Sequence, residues 1–299
     1  RTPQDKQANT GRVFIAKNRN GPDGLVFPIF ADWSNVTMKV LLVTLAIGEQ
    51  EITDYHQYFR TSHLKYAEKH SYDYKLITQS IDKSRSEAMI GDQNLFNIMQ
   101  KCLVCEDEST LDYDFVIYID PDVFININSP PIHDYYDFGD KIGAVDEWAQ
   151  PSFDQKVFVH EFYELPYRYP HEYLKREGFS EIGDLATKVM NSGVLVFQPR
   201  KHRAHMRTYY ELALKNIIVG QTMNYEQASL SHYLSRNNLL FWMDHKFNAI
   251  WNHTFSVKEI TQEPLDIVPF FHNNCFLHMV EGRHFHFLKS MNELNNAIE

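Results

Sequence analysis

The segment Tyr113-Asp-Phe-Val-Ile-Tyr-Ile-Asp-Pro-Asp-Val-Phe-Ile125 contains an apolar run, 115–119, that ends in two carboxylates, Asp120 and Asp122. A short run that is apolar on both faces is typical of a buried parallel strand. Open α/β sheets bind their ligands at the carboxyl ends of such strands. Two carboxylates separated by a rigid proline can bind one hard cation, although Asp-Pro-Asp is also typical of turns. The apolar stretch 123–127 favours the metal site, because the chain stays buried beside the pair.

Strand and helix patterns alternate on both sides of this segment. Strands are predicted at 38–46, 72–77, 115–119, 142–145 and 189–197, and helices at 53–70, 93–104, 202–218 and 225–234. There is no internal repeat and no linker in the middle, so the sequence predicts one catalytic domain over residues 38–299. We expect 38–125 to bind mainly nucleotide, and 126–299 to bind mainly acceptor and to complete the metal site. Residues 1–37 are polar and rich in Gly, Pro and Asn, which indicates a stem or N-terminal arm.

The composition excludes several classes of protein. With 43% hydrophobic residues in 299, the chain can bury a core. A net charge of -10 argues against a nucleic-acid partner, whereas a carboxylate-bound cation would let an acidic protein hold a pyrophosphate. Cys102 and Cys105 are interpreted as buried helix cysteines, not as a zinc or redox pair. No apolar run is long enough to span a membrane, and because the chain begins at Arg1 we expect any anchor to lie outside it.

The acidic segment resembles the Asp-x-Asp segment of GT-A-type nucleotide-sugar glycosyltransferases, nearest to the retaining galactosyl-, mannosyl- and xylosyltransferases of the Golgi. Four later segments resemble motifs of that group in the same order: Asn191-Ser-Gly-Val-Leu-Val-Phe-Gln-Pro199, Glu226-Gln227, Asp244-His-Lys-Phe-Asn248 and the His-rich Phe276-Leu-His-Met-Val-Glu-Gly-Arg283. The departures are the proline inside the acidic pair and one extra residue between His278 and the following glycine. The resemblance implies an α/β, GT-A-like Rossmann-type fold with a mixed, mostly parallel sheet flanked by helices.

The resemblance also implies roles for individual residues. Mn²⁺ or Mg²⁺ would bind to Asp120, Asp122 and His278, with Asp122 as the direct ligand, while His272, His284 and His286 compete with His278 for this role. The donor would bind to Asp120, Asn191, Ser192, Gly193 and Arg283. Glu226 and Gln227 are the candidates for stabilising the positive charge that develops at the anomeric carbon. For Glu226 the alternative is an acidic first-turn residue that complements a helix dipole.

A second group of candidates would contact the acceptor or a sugar ring. Asp146, Glu147 and Trp148 follow a predicted strand at the same sheet edge, and a tryptophan beside carboxylates is a common way to hold a sugar. The equally weighted alternative is that Trp148 closes the core above the sheet. Asp244 is assigned to the same group by the resemblance.

The expected function is metal-dependent transfer of a hexose or pentose from a UDP- or GDP-sugar to a glycan or glycoconjugate acceptor, with retention of configuration. Two alternatives remain open: a metal-dependent phosphohydrolase or nucleotidyltransferase, and a catalytically silent carbohydrate-binding protein of the same fold. Sequons at Asn35 and Asn252 favour a secretory glycoprotein. The expected location is the Golgi lumen, as a truncated type II membrane protein, and the alternative is a soluble cytoplasmic enzyme.

Overall fold

The computed structural model describes residues 10–15, 25–30, 38–85, 93–180, 183, 187–216, 226–254, 266–280 and 285–298. Contacts between Cα atoms divide the chain into two units, Arg1–Met38 and Lys39–Glu299. In the first unit, β1 (Thr10–Ile15) and β2 (Leu25–Phe30) form a two-stranded antiparallel sheet. The sequence predicts no strands in this segment, so the hairpin is an addition to the predicted arm.

A six-stranded mixed sheet forms the centre of the second unit. Its strands are β3 (Val40–Leu45), β4 (Asp73–Ile77), β5 (Phe115–Ile119), β7 (Ile142–Asp146), β8 (Met190–Phe197) and β9 (Leu240–Met243). Their order across the sheet is β4-β3-β5-β8-β7-β9. β8 is antiparallel to β5 and β7, whereas the other neighbouring pairs are parallel. The predicted mixed, mostly parallel sheet is therefore confirmed.

A second, three-stranded sheet lies beside the acidic pair in the chain. It consists of β6 (Val123–Ile125), β10 (Ala249–Ile250) and β11 (Phe276–His278), in the order β10-β11-β6. In the antiparallel pairing of β11 with β6, His278 lies opposite Val123. The N–H of Met279 also donates to the carbonyl oxygen of Asp122 at 2.9 Å. These short strands bring the late histidine next to the acidic pair.

Ten α-helices are found among the described residues, besides three separate 3₁₀ helices, Glu108–Asp112, Glu147–Ala149 and His245–Asn248. They are α1 (Glu49–Asp54, a π-helical segment Tyr55–Phe59, and Arg60–Lys69), α2 (Gln93–Met99, continued by a 3₁₀ turn Gln100–Leu103), α3 (Ile132–Tyr135), α4 (Phe153–Phe162), α5 (Pro170–Arg176), α6 (Pro199–Asn216), α7 (Gln227–Arg236), α8 (Trp251–Thr254), α9 (Val268–Asn273) and α10 (Phe285–Ala297). The four predicted helices correspond to α1, α2, α6 and α7. Within the described segments, no helix combines the length and the apolar character that crossing a bilayer requires.

The central sheet is covered on both faces because successive side chains of a strand point to opposite sides. Leu41 and Val43 of β3 pack with residues of α2, α6 and α7, whereas Leu42 packs with Tyr66 and Ala67 of α1. Strand β5 alternates in the same way and is buried on both faces, as its sequence predicts. Cys102 lies in the 3₁₀ turn that continues α2, and Cys105 follows it. Both lie in the first of these cores, where burial raises the pKa of the two thiols.

Candidate active site

The acidic pair follows the carboxyl end of β5, where the sequence predicts a cation site. The N–H of Asp120 donates to the carbonyl oxygen of Gly193 at 2.8 Å, which fixes the turn against β8. Ligand atoms of Asp120, Asp122 and His278 all lie within 4.8 Å of one another. The three residues that the resemblance assigns to the metal are therefore brought together by the fold.

This set of side chains fits a divalent cation. Carboxylates suit Mn²⁺ and Mg²⁺, and imidazole is a ligand for transition metals. Nδ1 of His278 lies 2.9 Å from Oδ1 of Asn248, while Nε2 lies 3.3 Å from Oδ1 of Asp122. Since the amide oxygen of Asn248 can only accept, Nδ1 donates, and Nε2 is the nitrogen that faces the carboxylate. Burial lowers the pKa of His278, but the neighbouring carboxylates, Asp122 first among them, together raise it above its ordinary value. Burial raises the pKa of Asp122, but His278 and Lys101 help to lower it below its ordinary value.

A buried lysine, Lys101, joins the acidic pair to the second half of the site. Its Nζ lies 3.0 Å from Oε1 of Glu226, 3.2 Å from Oγ of Ser192 and 3.2 Å from Oδ1 of Asp120. Burial opposes the charged form, yet the two carboxylates raise the pKa of Lys101 above its ordinary value. Sequence reasoning missed this residue. The available signal was a lysine close to the apolar Met99 and Cys102 in a predicted buried helix.

Glu226 and Gln227 lie where β8 meets the start of α7. The carboxylate of Glu226 accepts hydrogen bonds from Ser192 Oγ and from Lys101, and it is only 5% exposed. Burial alone would raise the pKa of Glu226, but Lys101 and Ser192 lower it, so the group is ionised at neutral pH. The side chain of Glu226 makes no capping hydrogen bond to α7. Glu226 thus contacts other residues of the site, and as the N-cap residue of α7 it also keeps the position that the helix-dipole alternative requires.

The Asn-Ser-Gly segment of β8 supplies both polar contacts and space. Asn191 donates from Nδ2 to Oε2 of Glu147 at 2.6 Å, and its Oδ1 accepts from the N–H of Gly193 at 2.9 Å. A Cβ on Gly193 would lie 2.5 Å from Cε1 of His278. The close approach that Gly193 permits is thus an approach of the candidate metal ligand itself.

These residues open into a cavity of about 620 Å³, within the size range of small-molecule sites. The cavity is lined by Leu45, Ile47, Glu51, Asp54, Tyr55, Phe59, Asn97, Ile98, Lys101, Tyr118, Asp120, Pro121, Asp122, Asn191, Ser192, Glu226, Gln227, His278 and Val280. It therefore contains the candidate metal ligands, the candidate catalytic pair and apolar side chains from α1 on one connected surface.

Three of the residues assigned to a sugar or acceptor lie elsewhere. Trp148 is 1% exposed and packs on Tyr173, and its indole N–H donates to the carbonyl oxygen of Arg168 at 2.9 Å. The arrangement is that of a core tryptophan, the alternative weighed from the sequence. Asp146 is also buried and accepts from the N–H of Trp148 at 3.0 Å; burial raises its pKa to about 6. Asp244 accepts from the N–H of Lys246 and lines a separate cavity of about 280 Å³.

Glu147 is buried as well, and it is linked to the site through Asn191. It forms an ion pair with Lys156 and accepts from Asn191. Of the competing histidines, His272 is exposed and lines the second cavity. Arg283 and His284 lie outside the described residues, as does the side chain of His286. Their predicted roles stay predictions.

Comparisons with known proteins bear on the fold. No protein-family model matches the chain. No curated protein matches it either. Among solved structures, a glycosyltransferase involved in the glycosylation of the major capsid of PBCV-1 is similar, with a TM-score of 0.52 and 13% identity over 85% of this chain and 99% of the other. An active-site mutant of LgtC is similar with a TM-score of 0.52 and 12% identity, over 85% of this chain and 95% of the other. The chain therefore has the GT-A fold, and identities this low show the fold alone.

Proposed function

We propose that this protein is a metal-dependent glycosyltransferase that moves a hexose or pentose from a UDP- or GDP-sugar to a glycan or glycoconjugate acceptor, with retention of configuration. The observation that carries the proposal is that Asp120, Asp122 and His278 share one cavity with Glu226 and Gln227. Sugar transfer needs a cation at the leaving diphosphate and a negative or polar group near the anomeric carbon. The cavity offers both.

The residues of the chain would divide the work as follows. Bound to Asp122 and His278, with Asp120 beside them, Mn²⁺ or Mg²⁺ would act as a Lewis acid that stabilises the leaving diphosphate. The ionised Glu226 would stabilise positive charge at the anomeric carbon, with the amide of Gln227 beside it. Lys101 would hold Asp120 and Glu226 in place, because its ammonium contacts both.

The residues on the donor side of the site support this proposal more strongly than those on the acceptor side. Asn191 and Ser192 line the cavity and can contact donor hydroxyls. We propose that Asp146, Glu147 and Asp244 act on the acceptor side, although they are not among the residues that line this cavity. For Trp148, burial in the core favours support of this edge of the sheet over direct stacking on a sugar.

The test is incubation with a panel of nucleotide sugars, with and without Mn²⁺, and measurement of released nucleotide diphosphate. We expect release from one class of donor, dependent on Mn²⁺ and absent in Asp122→Asn, which also loses metal-dependent nucleotide binding. Asp140→Asn is the matched control, because Asp140 is an exposed aspartate whose side chain pairs with Lys201. NMR of the product then gives its anomeric configuration.

Other outcomes would favour the alternatives. Release of inorganic phosphate from nucleotides or phosphate esters, without sugar transfer, would indicate a phosphohydrolase. Metal-dependent binding of sugars with no turnover of any donor would indicate a carbohydrate-binding protein of the same fold. An Asp122→Asn variant that retains both nucleotide binding and turnover would contradict the assignment of the metal.

A further inference from the structure

A continuous chain of side-chain hydrogen bonds leads from the candidate metal ligand into the protein. His278 Nδ1 contacts Oδ1 of Asn248 at 2.9 Å, and Asn248 Nδ2 donates to Oδ1 of Asn191 at 2.6 Å. Asn191 Nδ2 in turn donates to Oε2 of Glu147 at 2.6 Å. All four residues are buried, and Asn248 is fully so. The chain is therefore largely shielded from bulk water, although Asn191 and His278 also line the cavity.

The chemistry at the two ends fixes the direction of every bond. An ionised Glu147 can only accept, so Asn191 must present its NH₂ group to it. The backbone N–H of Gly193 can only donate, so the oxygen of Asn191 must face that side. Asn248 then donates to this oxygen and directs its own oxygen to His278. As a result, Nδ1 of His278 must carry a proton, and in the neutral ring the lone pair is on Nε2.

We propose that Glu147 is a positioning residue whose carboxylate, acting through Asn191 and Asn248, holds His278 in the tautomer that presents Nε2 to the metal site. This inference rests on the proposed function only in that the site binds a metal; the tautomer itself exists without one. Groups behind a ligating histidine commonly set its tautomer and tune its affinity for the ion.

Lys156 keeps the carboxylate of Glu147 in its ionised form. It is 2% exposed and pairs with Glu147, with Nζ also 3.1 Å from Nε2 of His253. Burial would raise the pKa of Glu147, but Lys156 lowers it to about 2, so the carboxylate accepts hydrogen bonds throughout the physiological range. A buried ion pair is weak evidence of stabilisation, because desolvation offsets the attraction. A requirement for an acceptor at this position explains why the pair is present.

The test begins with Glu147→Gln, which keeps the shape and changes the hydrogen bonding. Lys156 can only donate, so it draws the oxygen of the new amide and turns the NH₂ group toward Asn191. Two NH₂ groups then face each other. Reversal of Asn191 and Asn248 removes this conflict but turns the NH₂ group of Asn191 toward the N–H of Gly193, so the native direction of the bonds loses its advantage over the reversed one. We expect the form of His278 protonated at Nε2 to become populated, and Mn²⁺ affinity to fall by roughly ten- to a hundredfold.

The double variant Glu147→Gln with Lys156→Met separates this role from a merely structural one. The thioether that replaces the ammonium cannot donate, so the oxygen of the new amide is free to turn back to Asn191 and the native direction of the bonds returns. We therefore expect the double variant to recover the Nδ1 proton and most of the Mn²⁺ affinity. A merely structural ion pair would also regain stability when both charges are removed, because a single buried charge is no longer left unpaired. The tautomer of His278, and not stability alone, therefore distinguishes the two roles.

The readout is the tautomer of His278, from long-range ¹H–¹⁵N spectra of metal-free, ¹⁵N-histidine-labelled protein at alkaline pH, with signals assigned by His278→Gln. A wild-type proton on Nε2 overturns the proposal without any variant at Glu147. An unchanged tautomer in folded Glu147→Gln also overturns it. Failure of every donor to react leaves these spectra unaffected, so loss of the proposed function and loss of this inference are distinguishable.

Discussion

At the scale of single residues, Gly193 leaves the space that the imidazole of His278 occupies. A Cβ there would lie 2.5 Å from Cε1 and 2.7 Å from Nδ1 of His278. In Gly193→Ala we expect the imidazole to move, Mn²⁺ affinity to fall at least tenfold, and the free energy of unfolding to drop by about 1–3 kcal/mol, as for other overpacked sites. Isothermal titration with Mn²⁺ and urea unfolding measure the two effects.

Gly139→Ala is the control for this substitution. Gly139 has a φ of 56°, and a Cβ there would meet nothing within 4 Å. Alanine costs about 1 kcal/mol through its backbone conformation, but it touches no residue of the site. Mn²⁺ affinity should therefore be that of the wild type. Equal Mn²⁺ affinity in both variants would show that Gly193 does not make room for the metal ligand.

Loss of Lys101 should lower the stability of the protein strongly. Lys101→Met leaves the buried carboxylate of Glu226 and the partly buried carboxylate of Asp120 without their shared cation, and removal of one partner of a buried pair costs about 3–5 kcal/mol. In the wild type, Lys101 holds the pKa of Glu226 below its ordinary value. That contribution is present at neutral pH and is lost as the pH falls through the lowered pKa of Glu226.

In the variant, burial is opposed only by hydrogen bonds such as that from Ser192, so we expect the pKa of Glu226 to rise and protonation in acid to relieve the penalty. The stability difference between wild type and Lys101→Met should therefore be largest at neutral pH and shrink below about pH 4–5. Urea unfolding at several pH values measures it. Lys201→Met, which breaks an exposed pair with Asp140, should cost less than about 1 kcal/mol. A loss in Lys101→Met that does not vary with pH would contradict this assignment.

Whether the place of a residue at the site could be predicted from the sequence depended on the element to which the residue belongs. Asp120 and Asp122 could be placed at the site because they follow a strand, and a strand end has a known position in an α/β sheet. The pairing of Lys101 with Glu226, or of Glu147 with Lys156, could not be predicted, because it depends on how separate elements pack. Trp148 showed the same limit, since a core position and a sugar-stacking position look alike in the sequence.

At the scale of elements, helix α1 departs from the predicted regular helix. Its π-helical segment, Tyr55–Phe59, places both terminal rings in the cavity wall, and both are almost fully buried. π-Helical turns are frequent at functional sites and change which side chains share a face. Apolar spacing alone does not reveal such a turn, because the pattern on either side of it is that of an ordinary helix.

His63, which joins α1 to both sheets through hydrogen bonds, should make the free energy of unfolding depend on pH. His63 Nε2 donates to the carbonyl oxygen of Val123 at 2.7 Å, and Nδ1 accepts from the hydroxyl of Thr44 at 3.0 Å. Burial lowers the pKa of His63 from 6.5 to about 4. Between these values the unfolded chain is protonated and the folded one is not. Stability should therefore fall by about 3 kcal/mol as the pH drops through this window.

His63→Asn isolates this contribution. The variant should be less stable than the wild type at neutral pH, because it loses contacts to β3 and β6, but its stability should fall less steeply in the same window. Denaturant unfolding at a series of pH values gives both slopes. His56→Asn, on the exposed face of the same helix, should keep the wild-type slope. Parallel curves for His63→Asn and wild type would remove His63 as the source.

The direction of β8 was beyond what the sequence could predict. A strand that is buried on both faces has the same apolar pattern whether it runs parallel or antiparallel to its neighbours. Strands β10 and β11 have two and three residues, too few for a periodic pattern. The sequence could therefore predict which segments form the central strands. It could not predict the small sheet that brings His278 to Asp122.

At the scale of the whole molecule, both the central and the three-stranded sheet and the cores that cover them lie within Lys39–Glu299. A chain that begins at residue 38 keeps every strand pair of these two sheets and every described residue of the site. We therefore expect it to unfold in one cooperative transition, with a free energy of unfolding within about 1 kcal/mol of the full chain and the same Mn²⁺ affinity.

A chain that begins at residue 46 is the control. It lacks β3, which pairs with both β4 and β5, so it should not fold. A residue-38 chain that aggregates or loses its cooperative transition would show that residues 1–37 are part of the folded catalytic domain and not a separate arm.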